Sequence, residues 1–287
     1  MLGYAIVSYI DVLGYKRIVD KLIDQPAFIE ELERLYYGIS ISALKELQDI
    51  ALIENETDRE VTAYYKKVID SICVRCIADS FIFTLQVPEI DSKKEFDERG
   101  FIKDCVSAYF GTIKMFSQLF ICKAGLLRGG ISIGKHYESE KEQQLFIFSQ
   151  AHNRACEMEK EARTPRIRID ESVRLYLDDI SSDLVWKFFY RDDEDGCLCL
   201  DIYKGIQASP RMNNILDDIK RWIEFNIKAN WNNKKELGMI IAFAKYHNSR
   251  VNSEPINFPA ASLEYITKCE DQYKILKKQK GKKSKRK

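Results

Sequence analysis

Two aspartates stand where a carboxylate needs a reason. Asp11 closes the apolar run "GYAIVSYID", and Asp79 falls among small and polar residues inside the β-branched stretch "SICVRCIADSFIF". An ionised Asp left unpaired in an apolar setting costs several kcal/mol, so each calls for a cation, a metal or a set of backbone donors. If a strand ending at Asp11 lies beside a hairpin turning at Asp79, the two acids meet at one edge of a sheet. Two carboxylates with little other charge nearby suit a hard divalent cation, Mg2+ or Mn2+. The backbone carbonyl of Val12 would be a third ligand, and substrate phosphates would finish the coordination shell. Taken singly, either aspartate reads as a cap or turn residue.

Other residues extend this chemistry. Gly129 and Gly130 lie inside the strand-like "LLRGGISIG", where a glycine costs about 0.5–1 kcal/mol against alanine and so marks the close approach of a backbone or ligand. Arg128, just before them, is a candidate phosphate or interface residue, or one half of a salt bridge. Lys16 follows Gly14 and Tyr15 where a helix would begin, and a helix N-terminus there would offer backbone donors to a phosphate. His152 and Arg154 flank Asn153 on another helix, facing phosphate or solvent.

Several chemistries are disfavoured. His136, His152 and His247 are the only histidines, and none adjoins a Ser or Cys in a nucleophile-and-base pattern. Cys73 and Cys76 form a C-x-x-C, but residues three apart on a strand point to opposite faces and no second pair completes a zinc site. The eight cysteines scatter through apolar segments, as reduced core thiols would.

The elements that must position these residues follow from periodicity. "GYAIVSYID" reads as a strand, and "YKRIVDKLI" and "PAFIEELERLYYGISISALKELQDIAL" as helices. After the polar "ENETDREVTAYYKK", the stretch "VIDSICVRCIADSFIFTLQV" reads as a hairpin with Asp79 at its turn. "FIKDCVSAYFGTIKMFSQLFICKAG" is a helix ending at Gly125, "LLRGGISIGKHY" and "QLFIFS" are strands, and Ser149 caps the helix "QAHNRACEMEKEA", which Pro165 stops. "RIRID" is a strand and "ESVRLYLDDI" a helix. "LVWKFFYRD" and "GCLCLDIY" pair as a hairpin across the acidic turn "DDEDG". The expected fold is an α/β (α+β) sandwich: a ferredoxin-like, palm-type mixed sheet with helices on one face over residues 1–205, and a helical extension over 206–271.

Composition bounds the rest. A chain of 287 residues with 45% hydrophobic and 11% aromatic content can bury a full core. It has no run of eighteen apolar residues, and its start lacks the basic and small-residue marks of a signal peptide, so the expectation is a cytoplasmic protein with no membrane partner. Residues 272–287 hold nine Lys or Arg and no acid, leaving 36 basic against 44 acidic residues elsewhere. That tail suits a disordered, solvated arm with weak phosphate affinity; with one aromatic, it lacks the stacking residues of a dedicated nucleic-acid surface.

In this order, "YIDVLGY", "IADSFIF", "LLRGGISIG" and "FSQAHNRACEMEKEA" resemble the motif set of class III nucleotidyl cyclase catalytic domains, in a divergent bacterial form, over about residues 4 to 205. The resemblance implies that Asp11 and Asp79 hold two metal ions, Mg2+ or Mn2+, with the Val12 backbone assisting. Gly14, Tyr15, Lys16 and Ser80 would then border the nucleotide, with Arg128, Asn153 and Arg154 catalytic. It further implies a nucleoside triphosphate substrate, a 3′,5′-cyclic mononucleotide product, and a homodimer with sites shared between chains. The sequence departs from the family at Glu157, where an arginine is expected four residues after Asn153. A glutamate there would repel charge developing on the α-phosphate. Arg154, Arg163 or Arg166 would have to take over; otherwise the chain is a cyclase-fold dimer that binds a nucleotide or a partner without turnover. The family's base-selecting residues have no clear match, and the divergence leans toward bacterial pyrimidine cyclases of antiphage signalling.

Overall fold

A computed structural model describes residues 2–27, 29–30, 33, 59–87, 96–123, 125–142, 144–193, 195–204, 210–251 and 255–257. The chain divides into two compact units, Met1–Gln207 and Ala208–Lys287. Most of the predicted helix "PAFIEELERLYYGISISALKELQDIAL" and the whole basic tail lie outside the described residues.

The first unit is built on the strand β1 (Gly3–Val12), followed by the helices α1 (Tyr15–Leu22) and α2 (Arg59–Asp70). Next come β2 (Ile72–Ile77), β3 (Ser80–Val87), α3 (Phe96–Lys123), β4 (Leu127–Lys141), β5 (Gln144–Ser149) and α4 (Gln150–Glu161). The unit closes with β6 (Ile167–Ile169), α5 (Glu171–Ile180), α6 (Asp183–Phe188), β7 (Phe189–Arg191) and β8 (Leu198–Leu200). One mixed sheet runs in the order β2-β3-β1-β4-β6-β8-β7, with β5 paired to β4. β1 lies antiparallel between β3 and β4, and β4 and β6 run parallel. The first four strands thus have the order of a βαββαβ unit, in which each crossover helix skips over a strand inserted between its two ends. This is the ferredoxin-like mixed sheet that the sequence led us to expect.

β1 is central because it buries apolar residues on both of its sides, Ala5 and Val7 on one and Ile6, Ile10 and Val12 on the other. On one face, Phe81 and Phe83 stack on Phe116 of α3, with ring centroids 4.6 and 5.2 Å apart. The Tyr109 hydroxyl reaches the Ser8 hydroxyl at 2.5 Å and donates to the Phe83 carbonyl at 3.0 Å, so its one polar atom is satisfied inside an aromatic core. Each fully buried Phe is worth about 1.5–3 kcal/mol. α3 contains a stretch, Arg99–Cys122, that is long and apolar enough to cross a membrane, and much of it is buried under this sheet.

The opposite face carries Ala5, Val7 and Ile82 against Ala151 of α4. The expectation of helices on one face therefore holds for α3 and for α2, which packs beside it, while α4 adds a layer on the other side. Small residues on β4 let it do so. A Cβ on Gly130 would lie 2.2 Å from the Ala155 carbonyl oxygen and 2.5 Å from the Met158 Cβ, while one on Gly129 would lie 2.7 Å from the Tyr9 carbonyl oxygen. The glycine pair thus marks close backbone approaches, to α4 and to β1 respectively.

Two element assignments differ from the sequence reading. Residues 59–70, read as a polar lead-in followed by strand, form α2, and its buried Val68 and Ile69 lie in the last helical turn. The alternating pattern begins only after Ser71, whose hydroxyl donates to the Val68 carbonyl at 2.5 Å. "LVWKF", read as strand, is helical, because Leu184, Val185 and Phe188 bury one helical face and only Phe189–Arg191 pairs with β8.

The second unit contains α7 (Pro210–Ala229) and α8 (Lys234–Arg250), a helical hairpin. Ile219, Ile223 and Ile227 recur at helical spacing, and Leu237, Ile240, Ile241 and Ala244 form the buried stripe of α8.

The glycine argument predicts a contrast between two alanine substitutions. Gly130→Ala should lose at least about 1–3 kcal/mol in urea unfolding, since backbone rather than a flexible side chain blocks the methyl. Gly134→Ala, whose methyl would rest 3.4 Å from the Ala151 nitrogen, should be near neutral. Equal losses at the two positions would refute the close-packing account.

Candidate functional site

The end of β1 sets the site. In register, Asp11 stands opposite Ser80 of β3 on one side and Arg128 of β4 on the other. The β2–β3 hairpin turns through Ala78 and Asp79, with Ala78 at φ 54°, a left-handed position that costs an L residue roughly 1–2 kcal/mol. The Val12 N–H donates to the Asp79 carbonyl at 3.0 Å, which closes this turn onto the end of β1 and brings the two carboxylates to one edge of the sheet. Ser80 is buried, its hydroxyl donating to Asp79 Oδ1 at 3.4 Å and meeting the Tyr9 hydroxyl at 2.7 Å.

A third carboxylate joins the edge. Glu159, on α4, is 5% exposed and forms an ion pair with Arg128, whose Nη2 also lies 3.6 Å from Asp11 Oδ2. Two carboxylates therefore flank one guanidinium, and Asp79 adds a third negative charge beside Asp11. Burial, then the neighbouring Asp79 and Glu159, push the Asp11 carboxyl up to about 6 against the opposing pull of Arg128. This excess of negative charge is what a divalent cation would relieve, so the residues fit Mg2+ or Mn2+. Among the described residues no group of three or more His, Cys, Asp or Glu side chains is placed to hold a metal. A cation here would thus draw Asp11 and Asp79 from the side chains and the rest of its shell from backbone, water or phosphate.

Beyond Asp11, the Leu13 N–H donates to the Leu126 carbonyl at 2.9 Å, and Gly14 takes φ 85° as the N-cap of α1. Tyr15 and the exposed Lys16 open that helix, and Gly14 supplies no side-chain cap. The N-terminus of α1 thus follows within a few residues of the acidic edge.

The residues on α4 go elsewhere. Ala151, Ala155, Met158 and Glu159 make its buried stripe, so Asn153 faces outward and is exposed. Arg154 donates from Nε to Asp170 Oδ2 at 2.7 Å and from Nη1 to Glu157 Oε2 at 3.0 Å. Asp170 also caps α5 through the Ser172 N–H at 3.0 Å. Glu157, standing where an arginine was expected, is thus the partner of Arg154. Arg166, offered as a stand-in for the expected arginine, is engaged elsewhere: its Nη1 and Nη2 lie 2.7 Å from Asp192 and 2.6 Å from Asp195 in the acidic turn between β7 and β8. His152 is half-buried, edge-on to the Tyr9 ring at 5.7 Å, and burial lowers its pKa.

The structure therefore gathers Asp11, Val12, Asp79, Ser80 and Arg128 at one edge with Gly14, Tyr15 and Lys16 close behind in the chain, and sets Asn153 and Arg154 apart. Sequence reasoning missed Glu159 and Tyr9. A signal existed for Glu159, because it is a carboxylate at the helical spacing of an apolar stripe facing the glycine pair.

The same sheet face carries a second charged group. Arg75 Nε lies 3.0 Å from Glu138 Oε1, Arg75 Nη2 lies 3.0 Å from Glu140 Oε2, and His136 Nε2 lies 3.4 Å from Glu138 Oε2. His136 and Arg75, acting against burial, hold the Glu138 carboxyl down at about 2.

No family model and no curated protein matches the chain. Among solved structures, the catalytic core of a rhodopsin-guanylyl cyclase with converted specificity, in complex with ATPαS, aligns over 70% of this chain and 97% of its own at 13% identity and a TM-score of 0.39. The adenylyl cyclase CyaB from P. aeruginosa aligns over 69% and 92% at 12% identity and a TM-score of 0.35. A class III adenylyl cyclase-like ATP-binding protein from Pseudomonas aeruginosa aligns over 72% and 40% at 10% identity and a TM-score of 0.39. At these identities and TM-scores the likenesses carry no functional weight.

The Glu138 group predicts an acid dependence. Because the folded pKa is depressed, its stabilisation is complete above the unfolded value near 4.3 and is lost as pH falls toward 2. Glu138→Gln should lower stability at pH 6 by up to about 3 kcal/mol and flatten the decline between about pH 5 and 2. Chemical denaturation across that range reads both effects, and an unchanged slope would show that the pair contributes nothing.

Proposed function

We propose that the first unit is a metal-dependent nucleotidyl cyclase domain, converting a nucleoside triphosphate into a 3′,5′-cyclic mononucleotide and pyrophosphate. The observation that carries this reading is the meeting of Asp11 and Asp79 at one sheet edge through the Val12 N–H to Asp79 carbonyl bond. The ordered motifs that resemble class III cyclases supply the reaction. Asp11 and Asp79, with the Val12 carbonyl, would hold Mg2+ or Mn2+, two ions per site. Metal bound there would supply the positive charge that acidifies the ribose 3′-hydroxyl and screens the triphosphate. The N–H groups opening α1 and the Lys16 ammonium would orient the phosphates, with Gly14 allowing their close approach. The 3′-oxygen gives up its proton to solvent and bonds the α-phosphorus in line, and the α–β bridging bond breaks to release pyrophosphate.

Asn153 lies on the face of α4 that points away from its own sheet, and the neighbouring hairpin arm exposes Phe146 and Phe148. Both features support a homodimer in which Asn153 and Arg154 serve the acidic edge of a second copy. A pyrimidine base and a place in antiphage signalling are further parts of the proposal and rest on the resemblance to divergent bacterial members, and a cytoplasmic setting rests on the composition of the sequence. A second reading, a dimer that binds nucleotide without turnover, is favoured by one observation: Glu157 replaces the expected arginine and occupies Arg154.

Incubation with Mn2+ or Mg2+ and each of ATP, GTP, CTP and UTP, followed by mass spectrometry, should yield pyrophosphate and one cyclic mononucleotide. Asp11→Ala and Asp79→Ala should remain folded and lose at least about a hundredfold in rate, the scale of several kcal/mol of charge stabilisation. Absence of cyclic product with all four triphosphates, or equal turnover in the variants, would transfer the assignment to the non-catalytic dimer.

A further inference from the structure

We infer that Glu159 is a positioning residue for the divalent cation, holding Arg128 so that its guanidinium cannot neutralise Asp11. The inference rests on the cation reading of the Asp11–Asp79 edge. Arg128 Nη2 faces two carboxylates unequally: it is in close ion-pair contact with Glu159 Oε1 but 3.6 Å from Asp11 Oδ2, beyond hydrogen-bond length. Glu159 thus takes the close ion-pair contact and leaves Asp11 the longer, weaker one. A carboxylate that is 5% exposed, in a stripe otherwise made by Ala151, Ala155 and Met158, contributes nothing to apolar packing.

Its place is fixed by the backbone. A Cβ on Gly130 would come within 2.9 Å of the Glu159 nitrogen, so the glycine brings this turn of α4 onto the strand that carries Arg128. With Glu159 present, Asp11, Asp79, Glu159 and Arg128 sum to a formal excess of two negative charges, matched to one divalent ion. Without its charge, the excess falls to one and Arg128 is released to close on Asp11 as a direct competitor. Both consequences weaken cation binding.

The test is Mn2+ binding to the full chain without nucleotide, followed by loss of the free-ion EPR signal, with thermal melts to confirm folding. Wild type should bind and Asp11→Asn should not; failure of that control removes the cation reading itself. Given the control, Glu159→Gln should bind Mn2+ roughly 10- to 100-fold more weakly, as outer-shell changes typically do. The double variant Glu159→Gln/Arg128→Met removes both partners, restores the two-charge excess and should recover most of that loss. A purely structural ion pair predicts no such recovery. Should Glu159→Gln alone fail to fold, Glu159→Asp, drawn back by one methylene, should shift affinity in the same direction by a smaller factor. Wild-type affinity in the single variant, or a double variant no better than the single, would overturn the inference while leaving the cation reading intact.

Discussion

One backbone hydrogen bond, from the Val12 N–H to the Asp79 carbonyl, makes neighbours of two acids that lie far apart in the chain. It exists because β1 sits between β3 and β4, so that the β2–β3 hairpin must turn beside the end of β1. The strand order is in turn fixed by the two faces of β1, one buried by the aromatic side of α3 and the other by the small-residue side of α4. The acidic edge is therefore a consequence of the core, and its geometry is held by backbone rather than by the acids themselves.

The electrostatics then run against the fold. Asp11 lies close to Asp79 and Glu159 with one guanidinium near it, and burial together with these acids raises its carboxyl to about 6. Other carboxylates stand directly beside cations: Glu138 lies between Arg75 and His136, while Asp192 and Asp195 share Arg166. That contrast separates structural acids from the acidic edge. The same structure satisfies one set of carboxylates internally and leaves another with an excess of negative charge, which is how perturbed ionisable groups come to mark functional sites.

Features with a local cause were legible in the sequence. β1, the turn at Asp79, the Ser149 cap and the end of α3 before Gly125 all follow from side-chain alternation, cap chemistry or a glycine within a few residues. Features with a distant cause were not. The acids that hold Arg166 lie in the turn after β7 and one that holds Arg154 lies at the start of α5, too far along the chain to be read locally. Glu159 was overlooked because its partner, Arg128, lies on another element, and only the missing side chain of Gly130 brings the two together. The helical α2 and α6 were missed for a related reason: short segments containing both apolar and polar residues fit two periods, and the burial that decides between them is tertiary.

The two faces of the sheet divide the work unequally. On the α3 face, large rings fill space, and the buried hydroxyl of Tyr109 finds its partners in Ser8 and the Phe83 carbonyl. On the α4 face, glycine and alanine bring a helix backbone to within contact of a strand, and polar groups are packed where the gap is smallest. A close-packed helix has little freedom to relax, so a charge placed on it keeps a fixed distance from whatever lies across the gap. Glu159 occupies such a position opposite Arg128, and Arg128 stands beside Asp11. Small residues in the layer behind the acidic edge thus do more than permit packing: they convert the rigidity of α4 into a fixed electrostatic setting for the carboxylates at the end of β1.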